Sequence, residues 1–328
     1  MKKIIALLVS LMIVFSFAAC SDEQKKDAKD TLSKFVKNEK DNKDKKGSKK
    51  TDIKAIVADD EEVDGVVSKS KGKSKKTSKL PSIEEQVILD ESDVKITAKE
   101  LATDEYYGTT VKILVENNSS DDINVSIENC SINGIMYDAY VGATVSAGKK
   151  SNEEIHFSGL NEDKIIEEIK EIEFSFDIYN SDYDTIIETG LITIETDSNY
   201  KQKYDDSGEV IYDSNDIRVI AQGLADGEDY YNEGGAELFV YIENNSSSSV
   251  YVNSDEFSIN GFMIDGWLYE LVKPGCVAYS RVSFSGDDLE SEDIDGYNAI
   301  EDITFDIEIN DADSYSEIDK VDAITLEF

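Results

Sequence analysis

Three oxygen-bearing side chains near the middle of the chain have the spacing of a cation-binding loop. Asn180, Asp182 and Asp184 occupy alternate positions, and carboxylate and carboxamide oxygens are the hard ligands that Ca²⁺ prefers. The segment lacks the Gly at position six and the Glu at position twelve of an EF-hand loop. The sequence therefore offers a calcium site at these three residues as a hypothesis.

Histidine and cysteine are scarce, and the carboxylates are so numerous that a catalytic pair of them can always be drawn. His156 is the only histidine, and no nucleophile-elbow motif accompanies it. The three cysteines, Cys20, Cys130 and Cys276, do not have the spacing of a metal site. We expect Cys130 to be a small core residue and Cys276, which follows a Pro-Gly turn, to be accessible. The sequence therefore predicts that the protein has no catalytic residue and no cofactor and is not an enzyme.

Two tyrosine pairs are the candidate recognition residues. Tyr106-Tyr107 and Tyr230-Tyr231 occupy the same loop in two related halves of the chain, each beside acidic residues. Such rings stack on sugars or anchor protein contacts. In the alternative interpretation, one ring of each pair caps a hydrophobic core. The ligand suggested by these pairs is a surface protein or a glycan.

An internal repeat places these residues in a common scaffold. The motif ENNSS recurs from residue 116 at residue 243, and SING recurs from residue 131 at residue 258, both at an offset of 127. The segments VILDESDVKITA and VIYDSNDIRVIA match at an offset of 123. We therefore predict two copies of one domain, residues 87–197 (repeat 1) and 210–328 (repeat 2), joined by a linker at 198–209.

Inside each repeat the apolar residues alternate with polar ones, which is the period of a half-buried strand. Ile172, Phe174 and Phe176 show this pattern in repeat 1, and residues 303–309 show it in repeat 2. Asn-Gly pairs at 133–134 and 260–261 favour type I′ hairpin turns. The pattern predicts an all-β fold, with two tandem antiparallel immunoglobulin-like β-sandwich domains and almost no helix.

The only tryptophan is placed by the same repeat. Trp267 aligns with Tyr140 at the offset of 127. Because both repeats carry a large aromatic ring here, we expect these two rings to pack into the fold rather than to form a site.

The first 20 residues have the organisation of an export signal. Lys2 and Lys3 precede an apolar run that is too short to span a membrane, and Ala18-Ala19 is the small pair before Cys20. The sequence FAAC resembles a bacterial lipobox. The resemblance implies a diacylglyceryl group on Cys20, which would anchor the chain to the extracytoplasmic face of the bacterial cell membrane.

The charge of the chain is distributed unevenly. Residues 21–86 carry 18 Lys against 15 acidic residues, a net charge of +3, whereas residues 87–328 carry 13 basic against 56 acidic residues, a net charge of −43. The first segment is too polar to form a core, so we expect a disordered stalk. The second segment repels nucleic acid, which excludes a nucleic-acid partner, and attracts cations or basic proteins.

The order of motifs resembles that in modules of surface lipoproteins from Gram-positive anaerobes. In those modules an ENNS turn, an SVNG or SING hairpin and an EIEFSF or DITFDI strand follow one another. The matching segments begin at residues 116, 131 and 171, and again at 243, 258 and 302. The resemblance implies an immunoglobulin-like fold and assigns no activity.

Taken together, the sequence predicts a lipid-anchored, non-catalytic binding or display protein that contacts the membrane through Cys20. Two alternatives stay open. One is an envelope enzyme or accessory subunit that uses acidic residues, and the other is a calcium-responsive spacer. The sequence leaves the ligand and the oligomeric state open.

Overall fold

The structure, a computed structural model, describes residues 80–104, 108–160, 165–227 and 234–328. Most of these residues lie in β-strands that pair in antiparallel fashion, and both repeats fold as sheets facing each other across a core. The predicted all-β sandwich architecture is thereby confirmed. Cys20 and residues 21–79 of the predicted stalk lie outside the described residues.

Repeat 1 forms two sheets. The first sheet has the strand order β1-β2-β3-β8-β6. In the second sheet β9 lies between β4 and β10. Strand β11 also pairs with β9, and β5 and β7 both pair with β4. The strands are β1 (Gln86–Glu91), β2 (Val94–Asp104), β3 (Gly108–Asn117), β4 (Ile123–Ile132), β5 (Ile135–Met136), β6 (Ala139–Tyr140), β7 (Ala143–Val145), β8 (Lys149–Phe157), β9 (Glu171–Asn180), β10 (Thr185–Glu188) and β11 (Ile192–Glu195).

Repeat 2 uses the same plan. Its first sheet has the order β12-β13-β14-β19, and its second sheet has the order β17-β16-β20-β15-β18, with β21 on β20. The strands are β12 (Glu209–Ser214), β13 (Ile217–Gly227), β14 (Gly235–Asn244), β15 (Val250–Ser254), β16 (Phe257–Ile259), β17 (Phe262–Ile264), β18 (Leu268–Val272), β19 (Cys276–Phe284), β20 (Asp302–Asp311) and β21 (Glu317–Glu327).

Helical structure is confined to short connections. A single α-helix, α1 (Gly286–Ser291), and one 3-10 turn (Tyr297–Ala299) connect β19 to β20 within the described residues. In the described part of the chain, no helix has the length and apolar character needed to span a membrane.

The two Asn-Gly hairpins have the predicted backbone. Asn133 and Gly134 have φ of 51° and 78°, and Asn260 and Gly261 have φ of 53° and 84°. Positive φ at both central residues is the requirement of a type I′ turn. Each asparagine also accepts two backbone hydrogen bonds, Asn133 from residues 170 and 171 and Asn260 from residues 301 and 302. These bonds connect the hairpin of repeat 1 to the start of β9 and the hairpin of repeat 2 to the start of β20.

The ENNSS segments form matching turns around a buried asparagine. Asn117 is fully buried, and its Nδ2 donates hydrogen bonds of 2.8 Å to the carbonyl groups of Asp121 and Val145. Asn244 makes the same two bonds, also at 2.8 Å, to the carbonyl groups 127 residues further along. The side-chain amide therefore supplies hydrogen bonds to two carbonyl groups that have no backbone partner at the turn.

Each repeat has its own hydrophobic core. The alternating apolar residues of the facing sheets fill both cores, as the period-two pattern predicts. The phenylalanine rings of the cores are Phe157, Phe174 and Phe176 in repeat 1 and Phe257, Phe284 and Phe305 in repeat 2.

A third cluster joins the two repeats. The β4–β5 hairpin of repeat 1 places Ile135 against Ile220, Tyr241 and Val277, which lie on the outer face of the first sheet of repeat 2. Ile135 and Val277 also pair in parallel, and the Val277 amide donates to the Gly134 carbonyl at 2.9 Å. A hydrophobic contact and a backbone bond therefore fix the hairpin to its neighbour.

A buried cation lies beside this cluster. Lys273 of repeat 2 is only 3% exposed, and its Nζ donates to Ser131 Oγ at 3.0 Å and lies 3.7 Å from Glu173 Oε2. Both partners belong to repeat 1. Burying an ammonium group without partners costs free energy. The two contacts of Lys273 with repeat 1 therefore stabilise the observed arrangement of the two repeats.

Pairing in repeat 1 begins before the predicted boundary. Ser82 donates from its amide and from its hydroxyl to the Asp197 carboxylate, each at 2.7 Å, and Ile83 forms a β-bridge with Thr196. Residues 82–83 thus close the end of repeat 1 at which β11 terminates.

Candidate functional site

The predicted recognition residues cannot be located in the fold. Tyr106, Tyr107, Tyr230 and Tyr231, like Cys20, lie outside the described residues. Their assignment as binding or lipidation residues stays a prediction.

The predicted calcium loop forms a turn that its own side chain stabilises. Asn180 Oδ1 accepts hydrogen bonds from the amides of Asp182 at 2.9 Å and Asp184 at 3.0 Å. This is the geometry of an Asx turn. In residues 80–104, 108–160, 165–227 and 234–328, no group of three or more His, Cys, Asp or Glu side chains is arranged to hold a metal ion. Calcium binding at these residues stays a hypothesis.

Both described cysteines are buried. Cys130 lies in the core of repeat 1, and burial raises the pKa of its thiol to about 12. The expectation that Cys276 is accessible is wrong, because β19 begins at this residue and directs its side chain into the core of repeat 2. Burial raises the pKa of Cys276 as well. The nucleophilic thiolate form is therefore disfavoured at both positions.

A surface of four aromatic rings is the most prominent candidate site, and the sequence pattern does not predict it. The rings belong to Trp267, Tyr269, Tyr251 and Tyr315, which we call the aromatic row. Successive ring centroids lie 5.9, 4.7 and 5.9 Å apart. Trp267 is 69% exposed and Tyr315 is 70% exposed. The expectation that Trp267 packs into the fold is therefore wrong.

Strand register builds the row on the outer face of the second sheet of repeat 2. In β15, Val250 and Val252 face the core, so Tyr251 and Asn253 face outward. Asn253 pairs with Tyr269 on β18, which brings that ring next to Tyr251. Trp267 directly precedes β18 and extends the row beyond the end of the strand.

The fourth ring is held by a polar turn between β20 and β21. Tyr315 has φ of 55°, and its amide donates to the Asp311 carbonyl at 2.8 Å. The Asp311 carboxylate accepts from the amide and hydroxyl of Ser314 at 2.9 and 2.7 Å. These hydrogen bonds lower the pKa of Asp311. The turn therefore fixes Tyr315 against Tyr251 despite an unfavourable backbone conformation.

One hydroxyl at the centre of the row, that of Tyr251, has a raised pKa. Burial, together with hydrogen bonds to Tyr269 and Tyr315, raises the pKa of Tyr251 to about 12. The Tyr251 hydroxyl is therefore protonated at physiological pH and linked to its two neighbours.

An acidic cleft of about 290 Å³ adjoins the Trp267 end of the row. Four carboxylates and one ammonium line it, so its formal charge is −3. The Lys320 ammonium lies 3.7 Å from Asp306 Oδ2 and 3.8 Å from Asp322 Oδ1, the latter outside the cleft. The lining residues are Asn253, Ser254, Asp255, Glu256, Trp267, Tyr269, Asp306, Glu308 and Lys320.

Two polar atoms of residues that line this cleft lack partners. Asn253 Oδ1 and Ser254 Oγ are buried and have no hydrogen-bond partner within the described part of the chain. Ser254 as a whole is only 5% exposed. An unsatisfied buried hydroxyl or amide oxygen costs on the order of 1–3 kcal/mol. Because neighbouring side chains of a strand point to opposite faces, Asn253 Oδ1 lies on the outward side with the cleft, whereas Ser254 Oγ lies on the core side.

Repeat 1 lacks the two central rings of the row and the unpartnered serine, although it keeps an exposed ring at Tyr140, the counterpart of Trp267, and another at Tyr183, which has φ of 65° and stacks on Tyr179. At the offset of 127, Tyr251 corresponds to Asn124, Tyr269 to Gly142, and Ser254 to Ile127, which is a core residue. The scaffold therefore folds with an apolar side chain where repeat 2 has the unpartnered serine. The alternation of residues 250–254 predicts that Tyr251 faces outward, opposite to Val250 and Val252. No pattern in the sequence predicts that the Ser254 hydroxyl lacks a hydrogen-bond partner.

Comparisons with known proteins assign no family. No protein-family model and no curated protein sequence matches the chain. Among solved structures, the chain is similar to the YadV chaperone, at 9% identity over 72% of this chain and 100% of that chain, with a TM-score of 0.22. It is also similar to a conserved domain protein from Bacillus anthracis, at 13% identity over 75% of this chain and 91% of that chain, with a TM-score of 0.22. Likenesses at such low TM-scores carry no inference about function.

Proposed function

We propose that this chain is a lipid-anchored protein of the extracytoplasmic membrane face that acts by non-catalytic binding. Its target is held on the aromatic row of repeat 2. The proposal for location is supported by the export signal and by Cys20 in the lipobox-like sequence FAAC. The proposal for binding is carried by the exposure of the aromatic row.

Exposed aromatic rings in a continuous group are unfavourable in water unless they serve an interaction. Contiguous apolar patches on soluble domains mark binding surfaces, and Trp and Tyr dominate the energetics of protein interfaces. The row is held by β-sheet register and by the Asp311 turn, so its rings are ordered before a ligand arrives. Preorganisation of this kind reduces the entropic cost of binding.

A catalytic role has less support from the described residues. Cys130 and Cys276 are buried thiols with raised pKa values. His156 lies in β8, and its ring stacks on Tyr140 at a centroid distance of 5.0 Å. We therefore assign no reaction to the protein.

Binding is tested with the full chain and with cell envelopes of its native source. Trp267→Ala and Tyr269→Ala should each weaken retention on the envelopes about tenfold, because alanine removes an anchoring ring. Tyr140→Ala in repeat 1 is the matched control and should bind like the unmodified chain. Equal retention of all variants would contradict a role for the aromatic row.

Location is tested separately with Cys20→Ala. This variant cannot be lipidated, so it should be released from the membrane fraction and should no longer partition into detergent. Unchanged membrane retention would remove the proposed anchor.

A further inference from the structure

We propose that the β16–β17 hairpin of repeat 2 docks on the first sheet of repeat 1 in a second copy of this chain. This contact reproduces, between two molecules, the joint that connects the two repeats within one molecule. It links chains head to tail. The contact goes beyond the proposed function, because it uses the hairpin and not the aromatic row.

The hairpin of repeat 2 carries an uncovered apolar tip. Phe262 is 44% exposed and Met263 is 70% exposed. Their counterparts in repeat 1, Ile135 and Met136, follow the same Asn-Gly turn and both lie against repeat 2, Ile135 in the cluster between the repeats and Met136 on the core of repeat 2. Two hairpins with the same backbone therefore present the same kind of apolar tip, and the one in repeat 1 shows what such a tip packs on.

The surface that receives the first hairpin has a counterpart in repeat 1 with the same strand register. In repeat 2, Ile220 pairs with Tyr241 on the outer face of the first sheet, and both contact the hairpin of repeat 1. In repeat 1, Thr97 pairs with Leu114 at the equivalent positions, at offsets of 123 and 127. The side chain of Leu114 faces outward, because Ile113 and Val115 on either side of it face the core.

The sizes of the side chains are exchanged between the two contacts. Within the chain, the smaller Ile135 lies against the larger Tyr241. Between chains, the larger Phe262 meets the smaller Leu114 at the same positions. Apolar contacts tolerate exchanges that conserve the total volume. Met263 adds a flexible side chain of the kind that adapts to an irregular surface.

The edge of the receiving sheet is open at the position that the joint uses. Within the chain, the Val277 amide at the edge of β19 donates to the Gly134 carbonyl at 2.9 Å. Lys150 on β8 corresponds to Val277. Among the described strands, only β6 pairs with this edge of β8, and it reaches residues 156–157 alone. The Gly261 carbonyl of a second chain can therefore pair here, since an open strand edge is a template for backbone bonds.

The receiving face also opposes an acidic chain less than the rest of the surface does. Residues 87–328 carry a net charge of −43, so two copies repel each other over most approaches. Around Leu114, however, lysines neutralise the glutamates. Lys112 lies 2.9 Å from Glu100, and Lys150 pairs with Glu116. This face is therefore among the least repulsive that a second copy can approach.

The proposed contact is heterologous, because the hairpin belongs to repeat 2 and the receiving face belongs to repeat 1. Each bound chain then keeps one free hairpin or one free face, so association continues beyond a dimer. Sedimentation velocity of the full chain in non-ionic detergent, over a concentration series, measures this. We expect oligomers larger than dimers that form more readily as salt rises, because salt screens the repulsion between acidic chains.

Variants identify the two sides of the contact. Phe262→Asp removes the hairpin side and Leu114→Asp removes the receiving side, so each should weaken self-association at least about tenfold. Tyr183→Asp, which places the same charge at an exposed ring of repeat 1, is the matched control and should associate like the unmodified chain. If Leu114→Asp lowers the Tm, Asn152→Asp on the exposed edge strand β8 replaces it in the same assay.

Mixing the two variants decides between this contact and any other form of self-association. The Phe262→Asp chain keeps its receiving face and the Leu114→Asp chain keeps its hairpin, so the mixture should form dimers and nothing larger. A symmetric contact between two hairpins predicts the reverse, with Leu114→Asp dimerising alone and the mixture gaining nothing. That result, or an unmodified chain that stays monomeric at every concentration and salt, would overturn the inference. Neither result would affect binding at the aromatic row, which the envelope assay measures separately.

Discussion

Repeat 1 and repeat 2 are nearly identical in their turns and differ in what they expose. The turns built on the buried Asn117 and Asn244 make the same hydrogen bonds, and both Asn-Gly hairpins have the same backbone. The outer face of the second sheet carries the four-ring aromatic row in repeat 2, whereas repeat 1 has a smaller stacked pair there, Tyr179 and Tyr183. The turns and the core therefore define the scaffold, and the outward faces of the strands are free to acquire separate roles.

The Asn-Gly hairpin itself shows the same contrast. Ile135, which follows the turn in repeat 1, is 1% exposed because it packs on repeat 2. Phe262 occupies the equivalent position in repeat 2 and is 44% exposed. One local structure thus serves as a joint between the repeats in the first case and remains at the surface in the second.

The largest expected effect comes from breaking this joint. Ile135→Ala should lower the free energy of unfolding by about 2–5 kcal/mol, because a buried side chain is removed from a packed cluster. Phe262→Ala is the matched variant and should cost less than about 1 kcal/mol, since much of its ring remains in water. Urea denaturation of the full chain measures both values. Equal losses would show that the two hairpins contribute alike.

The shared turns should respond equally to substitution. Asn117→Ala and Asn244→Ala each remove two side-chain bonds to buried carbonyl groups. We expect each to cost about 2–3 kcal/mol of stability. The adjacent exposed residues supply the controls, Asn118→Ala and Asn245→Ala, which should be almost neutral. A large difference between Asn117→Ala and Asn244→Ala would mean that the repeats are not equivalent at this turn.

The sequence predicted the parts of the fold that depend on local pattern. Period-two alternation located strands such as β9 and β20, and the Asn-Gly pairs located the type I′ hairpins, because both signals arise from neighbouring residues. The contact of Ile135 with Val277 could not be predicted, since the two residues are far apart in sequence and no pattern encodes which outer faces meet.

The candidate site was missed for a related reason. An aromatic residue occurs at the position of Trp267 in both repeats, and this pattern predicts packing rather than a site. The exposure of Trp267 depends on where β18 begins and on the register of β18 with β15, which alternation alone does not determine. Ser254 lies at a core-facing position of its strand, so only the missing hydrogen bond distinguishes it from an ordinary buried serine.

The last comparison concerns a carboxyl group that only repeat 2 has. Glu270 on β18 corresponds to Ala143 in repeat 1. The pKa of Glu270 is raised to about 7, chiefly by burial and also by the charge of Asp138 in repeat 1, while a hydrogen bond from Ser280 lowers it. Below about pH 7 the folded protein therefore favours the protonated form.

This raised pKa makes stability depend on pH in a defined direction. Between the ordinary value of 4.5 and about 7, the folded state holds a proton that the unfolded state has lost. Stability must then fall as pH rises through this window, by at most about 1.4 kcal/mol per pH unit. Glu270→Gln removes the titrating group, so the unmodified chain should lose stability relative to this variant from pH 4.5 to 7. Above pH 7 the difference should be constant.

Asp138→Asn supplies the second arm of this measurement. Removing the Asp138 charge takes away one cause of the raised pKa, so the pH at which Glu270 ionises in the folded protein should move down. The window of falling stability should then end at a lower pH than in the unmodified chain. Urea denaturation at intervals from pH 4.5 to 8 measures all three proteins. A stability difference between the unmodified chain and Glu270→Gln that is the same at every pH would show that Glu270 ionises alike in the folded and unfolded states.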